Sequence, residues 1–374
     1  MQLPRKILII RFSSLGDIIL ASPLIRTVRA AFPSAQIDFL VKSEYAQLLK
    51  FNPHLSSLIE MQTDHEAASG SDGQNIPGDE LKALRQRIRR SGYDAILDIH
   101  NSLRSRYLRS LAGARYVGVV NKRAIARFAL VNLKRDWYRD QVPVAERYLE
   151  TVRRYGIQDD GKGLEVFVPD ETVSSVKLMM EKFRLDRYEC TMGLVPAAKH
   201  FTKRWLPERF VELGARCSKS FRAKILVFGG KEERETCGDI AQMINARVGS
   251  PAAESLAGRF SLLESAGAMD YCTLVMSNDT GLMHLAAARK RKVVAIFGST
   301  VKQFGFFPYG TENLLVENAG LACRPCSHIG LQKCPEGHFR CMKDIQVDAV
   351  FAAAQQLLGP GKKYSLAHDE PTRN

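Results

Sequence analysis

Residues 274–300 carry the pattern that constrains the fold of this chain most strongly. An apolar run of strand length at 274–276 ends in the polar turn Ser-Asn-Asp-Thr-Gly. Apolar side chains then recur at helical spacing from Leu282 to Ala286, and a second apolar run follows at 293–297. A strand, a turn, a helix and another strand in this order are the repeating unit of a parallel sheet.

The same alternation recurs in both halves of the 374-residue chain. Further strands are predicted at 6–10, 36–41, 58–61, 94–99, 192–195 and 225–228, with helical patterns between them. This alternation predicts an α/β protein with two doubly wound parallel sheets. We predict an N-terminal domain at 1–168, a linker at 169–188, a C-terminal domain at 189–346, a last helix at 347–358 and a disordered tail at 359–374. A helix at 173–183 either lies in the linker or opens the second domain.

The charge balance favours an anionic partner. Lys and Arg number 54 against 40 Asp and Glu, which gives a net charge of +14. Nucleic acid, acidic lipid headgroups and phosphorylated sugars all fit this charge. No apolar run approaches the ~20 residues that span a bilayer. The apolar stretch near the start is also too short for a signal peptide, so we expect a cytoplasmic protein.

Two aspartates lie where predicted strands end and helices begin. Asp17 follows the Ser/Gly turn after the first strand, and Asp279 follows the strand at 274–276. The unpaired N–H groups at a helix start carry partial positive charge, so such a corner suits a phosphate or diphosphate. The simpler alternatives are that each aspartate is a helix N-cap and that His284 is an ordinary surface histidine.

Four of the eight cysteines crowd into the segment 323–341 with the spacing C-x2-C-x7-C-x6-C; they are Cys323, Cys326, Cys334 and Cys341. Disulfides are rare in the cytoplasm, so the cluster is either a structural zinc site or a set of reduced thiols. Four thiolates close a tetrahedral zinc site, although this spacing is not that of a standard ribbon or finger.

An ordered set of motifs resembles a known family. The chain begins with KILIIRFSSLGDIILASPL, continues with KRW at 203–205, and carries SNDTGLMHLAAA and VVAIFGST near its end. Together these resemble the lipopolysaccharide heptosyltransferase family, glycosyltransferase family 9, over about 350 residues from Lys6 to Leu358. Any single motif is weak, whereas the ordered set is specific.

The resemblance implies the GT-B architecture, in which two Rossmann-like domains face a central cleft. The N-terminal domain would bind the acceptor and the C-terminal domain the nucleotide sugar. The implied reaction transfers L-glycero-D-manno-heptose from an ADP-sugar, with inversion, to the inner core of lipopolysaccharide, on either Kdo or heptose. It requires no catalytic cofactor, and the enzyme would contact the inner face of the cytoplasmic membrane peripherally.

The family pattern also implies roles in the N-terminal domain. Asp17 matches the catalytic aspartate, which would accept the proton of the acceptor hydroxyl. We expect Ser14, Arg104 and Arg106 to contact the anionic acceptor. The alternative for the two arginines is a solvated helix face.

On the donor side, Lys203 matches the lysine that contacts the phosphates and stabilises the leaving ADP. We expect the rest of the donor site to comprise Glu233, Asp279, Thr280, Gly281 and His284. Arg204 is an alternative or additional phosphate ligand, and Glu232 is the alternative to Glu233. Family members often carry a hydroxyl early in the donor turn, where this chain has Ala197 and Ala198, with Thr202 nearby. No DxD pair points to a metal at the diphosphate.

Two other functions compete with this interpretation. Another nucleotide-sugar transferase of the same fold would use a different sugar or acceptor. A nucleic-acid-binding protein with a four-cysteine metal site would also account for the charge and the cysteines. That reading leaves the Leu-Gly-Asp and Asp-Thr-Gly turns unexplained, so we expect no nucleic-acid partner.

Overall fold

The computed structural model describes residues 3–62, 78–110 and 112–359. Contacts between residues group the chain into two units. Unit 1 draws on residues up to 123 and on 144–162, whereas unit 2 draws on 124–143 and on residues from 163 onward. The predicted disordered tail lies outside the described residues, apart from Gly359.

Unit 1 is built on five parallel strands in the order β3-β2-β1-β4-β5. Their bounds are β1 Lys6–Ile10, β2 Gln36–Lys42, β3 Ser57–Met61, β4 Ala95–Asp98 and β5 Tyr116–Val119. The apolar runs of β1 and β4 are buried almost throughout, as expected for central strands covered on both faces. The helices of this unit are Leu15–Leu20, Ser22–Ala31, Ser43–Ala46, Gly78–Ser91, Leu103–Arg109 and Val144–Leu149, which continues as the 3-10 turn Glu150–Tyr155.

Unit 2 contains six parallel strands in the order β11-β10-β9-β6-β7-β8. They are β6 Cys190–Val195, β7 Ala223–Val227, β8 Ala253–Ser255, β9 Leu274–Asn278, β10 Lys292–Phe297 and β11 Asn313–Glu317. Its main helices are Asp170–Lys182, Pro207–Phe221, Arg234–Val248, Leu262–Met269, Gly281–Ala288 and Val347–Leu358. A short helix, Ala124–Phe128, and the π-helix Ala129–Leu133 also belong to this unit, as does the single turn Arg340–Lys343.

Both sheets have a topological switch point, where the strand order reverses. In unit 1 it lies between β1 and β4, which pair with Ile10 opposite Asp98. In unit 2 it lies between β6 and β9, which pair with Val195 opposite Ser277. Chains leave the two strands of such a pair in opposite directions, so the carboxyl ends of the pair form a crevice where ligands bind in this fold class.

The segment after residue 162 is fixed to unit 2 by backbone contacts. A Cβ atom on Gly163 would lie 2.8 Å from the Cα of Gly310, so neither glycine can carry a side chain there. Arg289 donates to the carbonyl of Val166 at 2.7 Å, and Lys290 donates to that of Leu164 at 2.6 Å. The domain limits at 168 and 188 remain predictions.

The two doubly wound parallel sheets expected from the sequence are present. Pro23 lies in the first turn of the helix Ser22–Ala31, where its missing N–H costs nothing. The predicted helix at 173–183 begins three residues earlier, as Asp170–Lys182, and it belongs to unit 2. Within the described ranges, no helix is long and apolar enough to span a bilayer.

Candidate functional site

The helix after β1 places Asp17 at the switch point of unit 1. Ser14, not Asp17, is the N-cap of the helix Leu15–Leu20, and Asp17 is its third residue. One carboxylate oxygen of Asp17, Oδ2, accepts hydrogen bonds from the Ser14 amide at 3.2 Å and the Ser14 hydroxyl at 2.8 Å. The N-cap alternative for Asp17 is therefore wrong, because its carboxylate bonds back to the true cap as in a capping box.

The other carboxylate oxygen of Asp17 contacts two groups that the sequence did not reveal. Oδ1 lies 2.6 Å from Nη2 of Arg11 and accepts a hydrogen bond from the Tyr148 hydroxyl at 2.9 Å. Asp17 is only 8% exposed, and this burial alone would raise its pKa. The Arg11 guanidinium and the hydrogen bonds from Ser14 and Tyr148 outweigh burial and hold the pKa of Asp17 below its ordinary value. The carboxylate is therefore ionised at neutral pH.

His100 completes this cluster from the other side of the switch point. It follows β4, and its ring packs on Phe12 with a centroid separation of 4.4 Å. Burial, and then the positive charges of Arg11 and Lys122, lower the pKa of His100 to about 2, so the imidazole is neutral. Arg11 links the segments that follow β1 and β4. Its Nη1 donates to the Ile99 carbonyl at 2.8 Å, and its Nη2 pairs with Asp17.

Sequence reasoning missed Arg11, His100 and Tyr148 as members of this cluster. Arg11 and His100 both follow strands that pair at the switch point, which is a signal that could have found them. No sequence signal pointed to Tyr148, because it is 131 residues from Asp17 and the two meet only in the folded protein.

The two candidate acceptor arginines lie on the helix Leu103–Arg109, which is capped by the Ser102 hydroxyl at 3.2 Å. Arg104 is half-buried and Arg106 is exposed. In the described part of the chain neither side chain has a hydrogen bond or ion pair. Arg109, on the same helix, instead pairs with the fully buried Asp98 at 3.0 Å. The guanidinium groups of Arg104 and Arg106 are thus available to a ligand.

Unit 2 brings Lys203 and Asp279 together at its own switch point. The Lys203 ammonium lies 2.7 Å from Oδ2 of Asp279, and the Thr300 hydroxyl donates to the same oxygen at 2.6 Å. Asp279 is 5% exposed and the Lys203 side chain 15%, so this is a largely buried ion pair. Arg204, in contrast, donates to the carbonyls of Ala198 and Lys199, which fixes the turn after β6. Of these two candidate phosphate ligands, Lys203 is therefore the one that pairs with Asp279.

The helix Gly281–Ala288 begins beside this pair. Thr280 is its N-cap residue, in an extended conformation, so the N-cap alternative for Asp279 is wrong. The N–H groups of the first turn, starting at Gly281, carry the positive end of the helix dipole. His284 is 3% exposed within this helix, which excludes the surface-histidine alternative.

The structure also separates the two candidate glutamates. Glu233 caps the helix Arg234–Val248, and its Oε2 accepts a hydrogen bond from the Gly230 amide at 2.8 Å. Glu232 is exposed. Glu233 is thus the glutamate that folds back onto the Gly-Gly turn after β7.

The hydroxyl of Thr202 is used in packing. It accepts from the Leu331 amide at 2.8 Å and from the Ser299 hydroxyl at 2.9 Å, and Thr202 is 1% exposed. These bonds attach the cysteine-rich segment to the turn that carries Lys203. Thr202 therefore does not replace the hydroxyl that family members often carry early in this turn.

Arg324, a buried arginine between the first two clustered cysteines, forms a second connection between the cysteine-rich segment and the residues around Lys203. The Arg324 guanidinium donates to the carbonyls of Asn318 at 2.6 Å and Thr300 at 2.8 Å, and it pairs with Glu317 at 2.7 Å. It also donates to the Gly298 carbonyl. Because the Thr300 hydroxyl bonds to Asp279, Arg324 fixes the backbone that holds the Lys203–Asp279 pair. No motif in the sequence pointed to this role of Arg324.

The four clustered cysteines lie close enough to influence one another. Burial and then neighbouring thiols raise the pKa of Cys341 to about 12, and burial likewise raises that of Cys326. Cys323, Cys326 and Cys334 are half-buried, and Sγ of Cys323 lies 3.8 Å from Nε2 of His338. Among the described residues, no three His, Cys, Asp or Glu side chains are arranged to hold a metal ion. As placed, the thiols do not form the predicted zinc site.

Comparison with known proteins identifies the family of this chain. The family described as glycosyltransferase family 9 (heptosyltransferase) matches residues 81–335. Lipopolysaccharide heptosyltransferase 2 of Salmonella typhimurium is 27% identical over 305 residues, which cover 80% of this chain and 84% of that protein. Lipooligosaccharide heptosyltransferase 2 of Campylobacter jejuni is 36% identical over 170 residues, which cover 45% of this chain and half of that relative.

Structural comparison agrees with the sequence match. The structure of E. coli ADP-heptose lps heptosyltransferase II superposes with a TM-score of 0.67 at 21% identity, covering 94% of this chain and 98% of that one. The two parallel-sheet α/β domains of the GT-B architecture are thus confirmed. With more than half of its residues matched by the family, this chain is a glycosyltransferase and belongs to glycosyltransferase family 9, the heptosyltransferase family.

Proposed function

We propose that this protein transfers a heptose from ADP-L-glycero-D-manno-heptose to the inner core of lipopolysaccharide, with inversion at the anomeric carbon. Family membership supports heptosyl transfer, and the names of the Salmonella and E. coli relatives supply the lipopolysaccharide acceptor and the ADP-heptose donor. The acceptor residue is either Kdo or heptose.

The observation that carries the proposal is the Lys203–Asp279 pair beside the helix start at Gly281. An ammonium and a set of unpaired N–H groups meet at the carboxyl ends of β6 and β9, where nucleotides bind in this fold class. A diphosphate placed there would be met by positive charge both when bound and when it departs as ADP. Thr280, His284 and Glu233 are proposed to line the remainder of the donor site.

Asp17 is proposed as the general base. The acceptor hydroxyl oxygen forms a bond to the anomeric carbon as the bond from that carbon to the diphosphate oxygen breaks. The bonding electron pair leaves with ADP, and the hydroxyl proton passes to the Asp17 carboxylate. The low pKa of Asp17 keeps this carboxylate ionised and ready to accept the proton. Ser14 and Tyr148 orient it, because their hydroxyls donate to its two oxygens.

The acceptor is proposed to be anionic and to lie at the inner face of the cytoplasmic membrane. The inner core carries carboxylates and phosphates, which suit the two available guanidinium groups of Arg104 and Arg106. The net charge of +14 supports the same partner, because it favours association with an anionic lipid surface. Peripheral contact with that surface is therefore part of the proposal.

The cysteine-rich segment is proposed to be structural, and a zinc ion is its proposed ligand. The segment supports the donor corner through Thr202 and Arg324 and has no atom in the reaction described above. Because the described side chains do not form a closed site, zinc binding would require the thiols to reorient. No step of the reaction depends on this metal.

The test of the proposed function is turnover of ADP-heptose by the purified protein against a panel of truncated lipopolysaccharide acceptors. The panel should include acceptors that end in Kdo and acceptors that end in the first heptose, each with and without core phosphates. ADP release that depends on one of these acceptors, with transfer of the heptose, is the expected result. Transfer from another nucleotide sugar, and none from ADP-heptose, would replace the proposal with the competing transferase.

A further inference from the structure

Segment 125–139 of unit 2 exposes an unusual number of large apolar side chains. Ile125 is 76% exposed, Phe128 59%, Leu133 52% and Trp137 51%. Exposed apolar side chains are normal when scattered singly, but four within thirteen residues form a patch that calls for a partner. We refer to the exposed face of residues 125–139 as the apolar-basic surface.

The apolar-basic surface also contains a hollow. An open cavity of about 530 Å³ is lined mainly by apolar groups, among them Ile125, Phe128 and Val131, and its lining also includes Arg127 and His328. This volume is sufficient for several methylene groups of an acyl chain. The lining comes from the helix Ala124–Phe128 and the π-helix Ala129–Leu133 together with the cysteine-rich segment.

Hydrogen bonds fix segment 125–139 to other residues of unit 2. Lys134 donates from its ammonium to the carbonyls of Cys323 at 3.1 Å and Pro325 at 2.7 Å. Gln303 donates to Asp136 at 3.2 Å. Within the same segment, Ala129 and Leu130 are buried. The fold therefore presents the patch outward.

Cations are interspersed with the apolar side chains along the segment. Arg135 and Arg139 are exposed and Arg127 is half-buried, and these three join Lys134 within the same fifteen residues. The only acidic residue of 125–139 is Asp136. Exposed apolar side chains interspersed with arginines match the interface of an anionic bilayer, where headgroups contact the cations and acyl chains contact the apolar groups. A second copy of this chain would instead bring like charges together.

We propose that the apolar-basic surface docks unit 2 onto a bilayer containing anionic lipid, with Ile125, Phe128 and Trp137 inserted at headgroup level. This deepens the proposed function and rests on it, since an acceptor anchored in a membrane is what makes such docking useful. The side chain of tryptophan favours this depth, because its ring is buried among acyl chains while its indole N–H stays near water, and isoleucine and phenylalanine add buried apolar area.

The chain carries its own probe for this contact. It has two tryptophans, and Trp205 is buried at 1% exposure, so a spectral change on adding vesicles reports on Trp137. Vesicles that contain phosphatidylglycerol should shift the emission to the blue and protect it from iodide, whereas pure phosphatidylcholine vesicles should do neither. High salt should weaken the binding, because the arginines contribute through charge. The Trp137→Phe variant should lose the spectral change.

The decisive variant is Phe128→Ser combined with Ile125→Ser. Removing two inserted side chains should weaken binding to phosphatidylglycerol vesicles about tenfold or more. Leu178→Ser is the matched control, because Leu178 is 63% exposed on the helix Asp170–Lys182 of the same unit. Equal thermal stability of the three proteins shows that all are folded. Equal vesicle binding by the double variant and the wild type, or binding to phosphatidylcholine as strong as to phosphatidylglycerol, would overturn the proposal. So would concentration-dependent self-association that the double variant abolishes, without any vesicle binding by the wild type.

Two acceptors separate this proposal from the proposed function. The double variant should lose turnover on an acceptor embedded in vesicles and keep it on the same acceptor after deacylation. If the wild type binds vesicles as described but transfers heptose to neither acceptor, the proposed function fails and the docking surface stands. If transfer occurs and vesicle binding does not, the docking surface fails alone.

Discussion

Replacing Lys203 should have two consequences that can be measured separately. Lys203→Ala leaves Asp279, at 5% exposure, with the Thr300 hydroxyl as its remaining donor among the described side chains. Removing one partner of a buried ion pair costs about 3–5 kcal/mol of stability. If the Lys203 ammonium also meets the donor phosphates, ADP loses a charge-assisted hydrogen bond worth about 1.5–3 kcal/mol, or roughly 10- to 150-fold in Kd.

A second substitution separates these effects. Asp279→Asn removes the carboxylate charge that Lys203→Ala leaves without a counter-ion, and the amide oxygen can still accept from Thr300. The double variant, Lys203→Ala with Asp279→Asn, should therefore recover most of the lost stability. Its affinity for ADP should remain roughly 10-fold or more below that of Asp279→Asn alone, because the cation is still missing.

The assays are chemical denaturation for stability and isothermal titration calorimetry for ADP, on the wild type and the three variants. Lys203→Ala should also lower kcat, since the departing diphosphate loses its counter-charge. If the double variant binds ADP as well as Asp279→Asn does, Lys203 acts only by neutralising Asp279. The assignment of Lys203 to the donor phosphates would then be refuted.

Three further predictions concern the remaining site residues. Asp17→Asn should reduce turnover by ~10²–10⁴-fold and leave ADP affinity unchanged; since Arg11 and the hydrogen bonds from Ser14 and Tyr148 hold the pKa of Asp17 below that of an ordinary aspartate, wild-type turnover should not lose this base at mildly acidic pH, and an acid limb near neutral pH would contradict the assignment. Arg104→Gln and Arg106→Gln should raise the acceptor KM without affecting ADP binding, and a fall in ADP affinity instead would show that the two substrates are assigned to the wrong domains. EDTA should leave the initial rate largely unchanged. Metal analysis should find about one zinc per chain, and Cys323→Ser should lower stability before activity. Absence of zinc, with all four thiols freely titratable, would exclude the structural metal.

Hydrophobic periodicity predicted the central strands well, because their side chains are buried on both faces. The runs that became β1, β6, β9 and β10 stand out in the sequence for this reason. The three strands that were missed are β5, β8 and β11. They are short or half-buried, and all three are edge strands of their sheets, so their composition differs little from that of loops.

The candidate site was only partly predictable, since motif positions name residues but not their partners. The sequence placed Asp17 and Lys203 at strand ends, and the structure puts both at switch points. It could not reveal that Arg11 and Tyr148 share the Asp17 carboxylate, because such contacts arise only when distant segments pack together. Arg324 illustrates the same limit, since nothing local distinguishes a buried arginine from an exposed one.

The connectivity of the two units restricts how the chain can be divided. The chain passes from one unit to the other after residues 123, 143 and 162. A cut at 162 would therefore leave segment 124–143 on the first fragment, severed from the Cys323 and Pro325 carbonyls that its Lys134 binds. Recombination between relatives at a single crossover near the middle of the gene would combine segment 124–143 of one relative with the cysteine-rich segment of another. We therefore expect residues 124–143 to be inherited together with the cysteine-rich segment they contact, despite the almost two hundred residues between them.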